Sequence, residues 1–480
     1  MCDMHLPANN TTAQYAYFKQ AMEDIKHSNA EILIVNGDIS ASGEQIALDE
    51  FLNETKGVNK IVVLGNSDVR HKNQSFFEVA KGGEFDIGRK IICINTPYSK
   101  IEDKDREKIN TMSDDDILIM HYSIAALEEE SQNYITNILS EKKIIIIHAH
   151  AHNSQDYILG KGRVICLRAL DPDKVTGAPP TITYLNVDKN NFVLKEKHFS
   201  TSKEKIKDIR DYLGISCFDV ISTIEYAISN DIKNLELRKY SENDGLFNKT
   251  VEGIKQWRKS CGQVLSIHMP NIFYKDNKIC DEGWNYAKKL LNKTEVDSVT
   301  IHPPRVSVDV MSKDKNIFVD YYARFIEQLP ETTKVGIENL HMSPGAEIDN
   351  SRQFGCTPIE QYEFIDSINK HFGYERVGGI LDVGHAYNNR PFSEIYTNGM
   401  WYALVGNKTV AYHIHQVKRS EGKLSNHREL DNWFGGMISY SSFFWAWLNN
   451  QIAKRPMFLE MRELNQAKVS IEAFNNINEF

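Results

Sequence analysis

The sequence lacks three features that would each point to a particular class of protein. No apolar run approaches the ~20 residues of a membrane-spanning helix. No charged segment followed by an apolar one marks a secretory signal. The seven cysteines include no CxxC pair, which is typical of reduced thiols and not of a disulfide framework. We therefore expect a cytoplasmic protein without a membrane partner.

The chain also lacks an excess of basic residues. It has 56 Lys and Arg against 65 Asp and Glu, for a formal net charge of −9. Nucleic-acid-binding domains usually carry a basic face, but a local basic groove can coexist with a negative total charge. Composition therefore leaves both nucleic acid and small molecules open as substrates, and it does not indicate the oligomeric state.

What is present is an ordinary globular composition organised in two halves. The 480 residues, 41% of them hydrophobic, suffice for two or three domains. Up to about residue 200, short β-branched runs alternate with amphipathic runs, which predicts strands and helices. The polar segment from Ser200 to Tyr212 favours a linker near residues 200 to 208. We predict an α/β protein with one domain over residues 1–203 and another over 204–480.

The second half repeats one unit eight times. Short apolar runs, from LGISCF to PMFLEMRE, alternate with amphipathic helical runs. This count predicts a (β/α)8 TIM barrel, in which active sites lie at the carboxyl ends of the strands. Acids and imidazoles stand at those ends: His268, His302, Glu338, Asp382, His385, His413, His415 and Glu460.

Metal-ligand side chains also follow the strands of the first half. They occur in the motifs CDMH, NGD, GNSD, MHYS and HAHAH. Oxygen and imidazole ligands that converge from several strand ends suit a pair of divalent metals. The candidates are Asp3, His5, Asp38, Asn66, His121, His150 and His152.

In order and spacing these motifs resemble the calcineurin-like metallophosphoesterase family, whose pattern is D-x-H, G-D, G-N-x-D, H and G-H-x-H. The resemblance covers residues 1 to about 200 and implies an αββα sandwich that hydrolyses phosphomonoesters or phosphodiesters with two Mn, Fe or Zn ions. It implies catalytic roles for Asp38, Asn66 and His121, and a structural role for His148. By the same resemblance, one metal is held by Asp3, His5, Asp38 and His152, and the other by Asp38, Asn66, His121 and His150, with Asp38 bridging.

The first half departs from that family at three places, of which Ala149 in place of the glycine of G-H-x-H is a mild change. Ser67 stands where the family usually has a histidine that protonates the leaving group. General acid help of about 10²–10⁴-fold must then come from elsewhere, or the leaving group must be a good one. Only Met1 and Cys2 precede Asp3, where the family has a strand. We expect either a start further upstream or a first half that is one strand short, with a weakened first metal site.

The second half resembles the xylose-isomerase-like superfamily, which includes sugar isomerases, epimerases and endonuclease IV, a metal-dependent enzyme that cuts beside abasic sites. The resemblance spans roughly residues 205 to 480 and implies one to three Zn or Mn ions. GIENLH, LDVGHA, YHIHQVK and FLEMRE supply the ligands shared across the superfamily, namely Glu338, Asp382, His385, His413 and Glu460, with catalytic roles for Glu338 and Glu460. Endonuclease IV adds two histidines that correspond to His268 and His302, and an aspartate and histidine pair of which His427 is kept while Ser425 replaces the aspartate.

Two positions remain open on the sequence. Gln416 replaces an aspartate that normally follows the His413 ligand, and His415 is an alternative ligand because residues two apart share a strand face. Glu236 in LELR either points into the barrel mouth, as a substrate contact or as a partner of a metal ligand, or forms an exposed salt bridge.

Three functions are compatible with these patterns. The leading one is a bifunctional metal-dependent phosphoesterase whose barrel is nuclease-like and acts on nucleic acid or nucleotides. His268 and His302 favour it, because phosphodiester cleavage uses multinuclear sites. The first alternative is a phosphatase fused to a sugar isomerase or epimerase that acts on a small phosphorylated metabolite. The second is a sensor or scaffold with a partly decayed site, which Ser67, Gln416 and Ser425 support.

Overall fold

The computed structural model describes residues 1–200, 207–238, 243–343, 346, 348–420 and 423–477. The chain divides into two compact units, of which the first holds Met1–Thr201 and the short segment Ser439–Ser442, and the second holds most of the remaining chain. The predicted boundary after residue 203, with most of the predicted linker, lies outside the described residues. Within the described ranges, no helix combines the length and apolar character that a bilayer crossing requires.

The first unit alternates strands and helices as the short apolar runs predict. Its elements are α1 (Ala13–His27), β1 (Leu33–Asn36), α2 (Gln45–Glu54), β2 (Lys60–Val63), α3 (Gln74–Val79), β3 (Gly83–Asp86), β4 (Lys90–Cys93), α4 (Asp103–Asn110), β5 (Ile117–Met120), α5 (Glu129–Glu141), β6 (Ile145–His148), β7 (Gln155–Leu159), β8 (Gly162–Cys166), β9 (Thr181–Val187) and β10 (Phe192–His198).

The core of the first unit is a six-stranded sheet in the order β3-β4-β5-β6-β8-β7. Its parallel strands β5 and β6 are buried along their whole length, because both faces of the sheet are covered. Ile109, Ile135 and Leu139 of helices α4 and α5 pack on one face. Apolar side chains of β1, β2, β9 and β10 pack on the other face.

The sandwich differs from the expected one in its second sheet layer. Strands β1 and β2 form one two-stranded sheet, and β9 and β10 form another, so the described residues contain no continuous second sheet. The reason is local: the backbone of Met1 accepts from Asn36 at the end of β1, and that of Asp3 accepts from Asp171 ahead of β9. This segment is too short to form a strand that would join the two-stranded sheets β1-β2 and β9-β10.

The second unit contains the strand and helix alternation of a barrel. Its elements are β11 (Leu213–Ser216), α6 (Val220–Ser229), β12 (Asn234–Leu237), α7 (Asp244–Ser260), β13 (Val264–His268), β14 (Phe273–Lys275), β15 (Lys278–Cys280), α8 (Trp284–Leu291), β16 (Ser298–Ile301), α9 (Val308–Ile326), β17 (Lys334–Glu338), α10 (Pro358–Phe372), β18 (Val377–Asp382), α11 (Val383–Tyr387), α12 (Phe392–Ile395), α13 (Asn398–Val405), β19 (Thr409–Ile414), β20 (Gln416–Ser420), β21 (Lys423–Arg428), α14 (Ser441–Leu448), β22 (Met457–Glu460) and α15 (Leu464–Asn475).

Eight of these strands close into a barrel in the order β11-β12-β13-β16-β17-β18-β19-β22. Every pair in it is parallel, and the eight strands are those predicted from the apolar runs. Four of them end on a candidate ligand, namely His268, Glu338, Asp382 and Glu460. The barrel therefore gathers these side chains at its carboxyl end, where such folds build their active sites.

Candidate metal centres

The candidate ligands of the first unit lie on turns with unusual backbone geometry. Asp3, His5, Asp38, His150 and His152 have φ values of 49°, 45°, 52°, 68° and 59°. A left-handed conformation is uncommon for residues other than glycine and costs of order 1–3 kcal/mol each. Such strain clusters at functional sites because it aims side chains in directions that a regular turn does not allow.

Asp38 lies at the middle of this cluster. Its Oδ2 is 3.2 Å from Nε2 of His5 and 3.4 Å from Nε2 of His121. Its other oxygen, Oδ1, accepts a hydrogen bond of 2.8 Å from the backbone N–H of Ser67. Nε2 of His121 is also 3.3 Å from Oδ1 of Asn66. A carboxylate oxygen between two imidazoles has the position that a bridging ligand requires.

The ligand atoms around Asp38 form two groups, one of which includes Asp38 itself. Asp3, His5 and His152 bring their ligand atoms within 4.8 Å of one another, and so do Asp38, His121 and His150. These groups fall within the two ligand sets that the family resemblance implies. His148 belongs to neither of the two groups, and its Nδ1 is 2.9 Å from the carbonyl oxygen of Ala149. Its structural role remains a prediction. The assignment of ligands remains a prediction.

Burial keeps most of the imidazoles in the first cluster neutral, which is the form that binds a cation. Burial lowers the pKa of His5 and of His150 to about 4, so both rings are neutral at pH 7 and can offer a lone pair. Burial would by itself raise the pKa of Asp38, but the neighbouring His121 holds it well below its usual value. Burial would likewise lower the pKa of His121, but the charge of Asp38 raises it to about 9. Without metal, His121 is therefore protonated on both ring nitrogens at neutral pH.

The GNSD motif holds Asp38 in place. Asp68 accepts from the backbone of Ser40 at 2.9 Å and from the backbone of Gly65 at 3.0 Å, which ties the two loops together. A Cβ at Gly65 would collide with Oδ1 of Asp38, so only glycine fits there. The hydroxyl of Ser67 is buried and has no hydrogen-bond partner among the described residues. Ser67 thus supports the site through its backbone amide.

One residue of this site was missed by the sequence interpretation. Oδ2 of Asp171 lies 3.5 Å from Nδ1 of His5, on the side of the ring opposite the Nε2 that faces Asp38. Gln14 donates to Asp171 at 3.2 Å. Among the described residues neither Nδ1 of His5 nor Oδ2 of Asp171 has a hydrogen-bond partner. A carboxylate in such a place often orients a metal-bound histidine. The available signal was Asp171 in RVICLRALD, shortly after a strand, because an acid near a strand end was the rule elsewhere in this half.

In the barrel, Glu338 is the central carboxylate. Its Oε2 is 3.1 Å from Nε2 of His268 and 3.1 Å from Nε2 of His302. Its Oε1 is 3.2 Å from Nδ1 of His385 and 3.4 Å from Nδ1 of His413. Each oxygen therefore faces its own pair of imidazoles, which is the geometry of a carboxylate shared between two cations.

His413 and His415, the two alternative ligands, are both buried and face different carboxylates. Nδ1 of His413 is 3.1 Å from Oε2 of Glu460. Nε2 of His415 is 3.1 Å from Oδ1 of Asp382. The side chain of Gln416 is instead occupied by the backbone of the following loop, with its Nε2 donating to the Gly435 carbonyl at 3.0 Å.

A further group of imidazoles lies beside Asp382. His385, His415 and His427 bring their ring nitrogens within 4.8 Å of one another. Ser425 is not part of this group, because its hydroxyl accepts a hydrogen bond of 3.1 Å from Arg428. In the endonuclease IV pattern an aspartate accompanies the histidine at this place. Here His427 is accompanied by the imidazoles of His385 and His415 instead.

The unpaired atoms of the barrel cluster are of the kind that bind metal ions. Within the described part of the chain, Nε2 of His413, which faces Oε1 of Glu236 at 3.0 Å, is buried and makes no hydrogen bond. The same holds for Oε1 of Glu338, Oε2 of Glu460, Nδ1 of His413 and Nδ1 of His427. A buried polar atom without a partner costs about 1–3 kcal/mol, and more when it is charged. These atoms converge on one another, so cations between them would supply the missing partners.

The pKa shifts in the barrel are those expected where acids and imidazoles are buried together. Although burial opposes it, the imidazoles of His302 and His413 hold the pKa of Glu338 well below its usual value. Burial lowers the pKa of His427 to about 3. Burial would do the same to His385, but the charge of Asp382 raises the pKa of that ring to about 9.

Three neighbours position these ligands and were not anticipated. Asn339 clamps Asp382, because its Oδ1 accepts from the Asp382 N–H at 2.8 Å and its Nδ2 donates to the Asp382 carbonyl at 2.9 Å. Arg238 donates to the carboxylate of Glu460 and to the carbonyl of the next residue. A Cβ at Gly384 would collide with the ring of His415. Asn339 directly follows Glu338 in GIENLH, which was the only signal for it.

Comparison with protein families confirms the resemblance of the first half. Residues 2–178 match the family model described as calcineurin-like phosphoesterase. The chain is thus a mixed α/β protein whose first half is similar to calcineurin-like phosphoesterases and whose second half contains a closed eight-stranded parallel barrel. No curated protein matches the chain significantly.

Several solved structures are similar to part of the chain at low sequence identity. A zinc-bound IOLI protein is 14% identical over 55% of this chain and 94% of its own, with a TM-score of 0.40. A xylose isomerase domain protein from Planctomyces limnophilus is 12% identical over 55% and 94%, with a TM-score of 0.37. A conserved protein of Streptococcus pneumoniae described as a predicted phosphoesterase is 13% identical over 41% and 86%, with a TM-score of 0.25.

Proposed function

We propose that this protein is a bifunctional, metal-dependent hydrolase of phosphoesters, with one multinuclear centre in each unit. The observation that carries the proposal is the shared carboxylate in both centres. Asp38 lies between two imidazoles, and Glu338 faces two imidazoles with each of its oxygens. Carboxylates shared between closely spaced cations are typical of enzymes that displace groups at phosphorus.

In the first unit, the ligand sets named above would hold two Mn, Fe or Zn ions. Bound divalent cations supply Lewis-acid stabilisation to the charge that develops on a phosphoryl group. Asn66 and His121 lie together on one side of Asp38 and would orient the phosphoester there. Because Ser67 offers no imidazole to the leaving group, we expect this unit to prefer esters whose leaving group departs without protonation.

In the barrel, the geometry favours hydrolysis over sugar isomerisation. An isomerase needs an acid and base pair beside one or two metals. Glu338 and Glu460 are the sequence candidates for that pair, and each faces an imidazole at 3.1 Å, which supports our proposal that both serve as metal ligands instead. We propose Zn or Mn as the metals, with up to three ions, and a phosphodiester in nucleic acid or a nucleotide as the substrate. The unconfirmed alternative is isomerisation of a phosphorylated sugar.

We also propose a cytoplasmic location. All seven cysteines are free thiols and five of them are buried. Burial raises the pKa of Cys93 and of Cys166 to about 12, so these thiols are inert at neutral pH. A protein that keeps seven reduced cysteines suits a reducing compartment.

The test is cleavage of end-labelled DNA that carries one abasic site, with a matched intact strand, in Mn²⁺ and in Zn²⁺. The wild-type chain should cut the abasic strand, Asp38→Ala should still cut it, and Glu338→Ala should not. A chromogenic phosphodiester should give the reverse pattern if the first unit hydrolyses it. His371→Ala serves as the matched control, because His371 is a partly exposed histidine that pairs with Asp320 on the surface.

Failure to cut either substrate in metal-loaded protein would contradict the proposal. Interconversion of phosphorylated ketoses and aldoses that disappears in Glu338→Ala would instead identify the barrel as an isomerase. Bound metal with neither activity would favour the sensor or scaffold.

A further inference from the structure

Strand β12 contributes no candidate ligand to the barrel centre, yet it carries the carboxylate of Glu236 into the barrel interior. Glu236 is completely buried, so the exposed salt bridge that the sequence left open does not form. Its Oε1 accepts from the hydroxyl of Ser216 at 3.0 Å. Its Oε2 accepts from Ser266 at 3.0 Å and from Thr300 at 2.8 Å. Three hydroxyls from strands β11, β13 and β16 therefore fix the plane of this carboxylate.

The remaining neighbour of Glu236 is the ring of His413. Oε1 of Glu236 is 3.0 Å from Nε2 of His413. The other ring nitrogen, Nδ1, faces the opposite way and lies 3.1 Å from Glu460 and 3.4 Å from Glu338. His413 thus spans the distance between an immobilised carboxylate and the two carboxylates of the candidate metal centre.

We propose that Glu236 is a positioning residue that holds the Nε2–H of His413 and thereby leaves the Nδ1 lone pair of that ring for a barrel metal. A ligand histidine usually gives its second N–H to a carboxylate, which fixes the tautomer and increases the basicity of the ligand nitrogen. The inference rests on the proposed function only in requiring that the barrel binds metal. It does not depend on which reaction the barrel catalyses.

Glu236 is distinguished from a ligand by the occupancy of its oxygens. An ionised carboxylate has about four lone-pair positions. Three hydroxyls take three of them, and Nε2 of His413, 3.0 Å from Oε1, faces the carboxylate as the fourth neighbour. Glu236, His268 and His413 do bring their ligand atoms within 4.8 Å of one another, so direct ligation by Glu236 is the competing assignment. The two assignments differ in the number of ions that a variant binds.

The experiment measures Co²⁺ affinity and stoichiometry of the full-length chain by chelator competition and by the visible d–d spectrum. Asp38→Asn and His121→Ala are present throughout, so that the remaining binding reports the barrel. Glu236→Leu should bind the same number of ions with an affinity about 10–100-fold weaker. Glu236→Gln should fall between this variant and the unsubstituted barrel, because the amide oxygen still accepts from Nε2–H but the negative charge is lost.

Glu360→Gln is the matched control. Glu360 is also a largely buried carboxylate, but it pairs with Arg352 and accepts from the backbone of Gly355 at 2.9 Å, away from the ligand cluster. Its loss should lower the melting temperature and leave Co²⁺ affinity unchanged. A Glu236→Leu barrel that binds Co²⁺ with undiminished affinity would overturn the proposal, and so would one that binds one ion fewer at unchanged affinity.

A second measurement decides the matter if Glu236→Leu does not fold. In Glu236→Gln, weaker Co²⁺ binding at an unchanged number of ions supports the positioning role, and unchanged affinity contradicts it. The ¹⁵N spectrum of histidine-labelled protein adds a readout without activity: His413 should carry its proton on Nε2 in the Zn²⁺-loaded unsubstituted barrel. A proton on Nδ1 would contradict the proposal. Absence of DNA cleavage, in contrast, would bear on the proposed function alone.

Discussion

The two candidate metal centres use the same residue types but aim them in different ways. In the first unit, five candidate ligands have left-handed backbone conformations on turns that follow strands. In the barrel, His427 is the only candidate ligand with a positive φ, at 58°, and most of the others lie on or directly after regular strands. The first centre therefore depends on strained turns, and the second on strand register and on neighbours that hold each side chain.

This difference identifies what supports each centre. Left-handed turns cost about 1–3 kcal/mol each and persist only when the surrounding loops leave no alternative. Gly65 and Asp68 provide that constraint around Asp38. In the barrel the support comes from side chains such as Asn339 and Glu236, which hold ligands that the regular backbone already directs inward.

The largest expected effect compares the pH dependence of metal binding in the two centres. His121, with a pKa of about 9, carries the proton that metal must displace in the first unit. In the barrel, two histidines carry such a proton. The pKa of His385 is about 9. The surrounding carboxylates raise the pKa of His413 well above its usual value despite burial. Affinity should therefore rise with pH up to about 9, by about tenfold per pH unit for each proton displaced.

The measurement is calorimetric titration of Zn²⁺ in buffers of different ionisation enthalpy, which counts released protons. Glu338→Ala isolates the first unit and Asp38→Ala isolates the barrel. We expect about one proton per first-unit centre and at least two per barrel centre. Equal proton release in the two variants would contradict this difference between the centres.

The next effect tests the dependence of the first centre on its turns. In Gly65→Ala the new Cβ would collide with Asp38, so the shared carboxylate must move. A displacement of about 1 Å costs about 10²-fold in rate, and we expect at least that loss in hydrolysis of a chromogenic phosphodiester, with the barrel activity retained. Gly373→Ala is the control, because Gly373 has a φ of 76° but open space around it. Equal activities in the two variants would contradict the role assigned to Gly65.

The smallest effect compares the carboxylates behind the ligand histidines. Asp171 lies 3.5 Å from His5, a longer distance than the 3.0 Å between Glu236 and His413. Asp171→Asn should therefore lower the metal affinity of the first unit by about tenfold, at the lower end of the range for such partners. Chelator competition in the Glu338→Ala background measures it. A loss larger than that of Glu236→Leu in the barrel would reverse the ranking.

Most elements could be predicted from the sequence, and the candidate ligands could be selected from it, because each signal is local. An apolar run that ends in an acid or imidazole identifies both the strand and the side chain at its carboxyl end, as at Glu338 and Asp382. The order of the motifs then gave the two groups of ligands around Asp38. The comparison with known families tests only the first half of this interpretation, through residues 2–178.

The supporting residues could not be predicted in the same way, because their roles depend on contacts between distant segments. Asp171 is remote in sequence from His5, and Glu236 from His413, and no spacing rule connects them. The sequence offered, as one alternative, a first half that is one strand short near Asp3. It did not indicate that the second sheet layer divides into two pairs, which depends on where the residues around Asp3 find hydrogen-bond partners.

The central claim is that each unit holds its own multinuclear metal centre. The most direct test is the metal content of the full-length chain after reconstitution and dialysis, for wild type, Asp38→Ala and Glu338→Ala. Wild type should retain about two ions for the first unit and at least two for the barrel. Each variant should lose only the ions of its own unit. A wild-type chain that keeps two ions or fewer, or variants that lose the same ions, would contradict the claim.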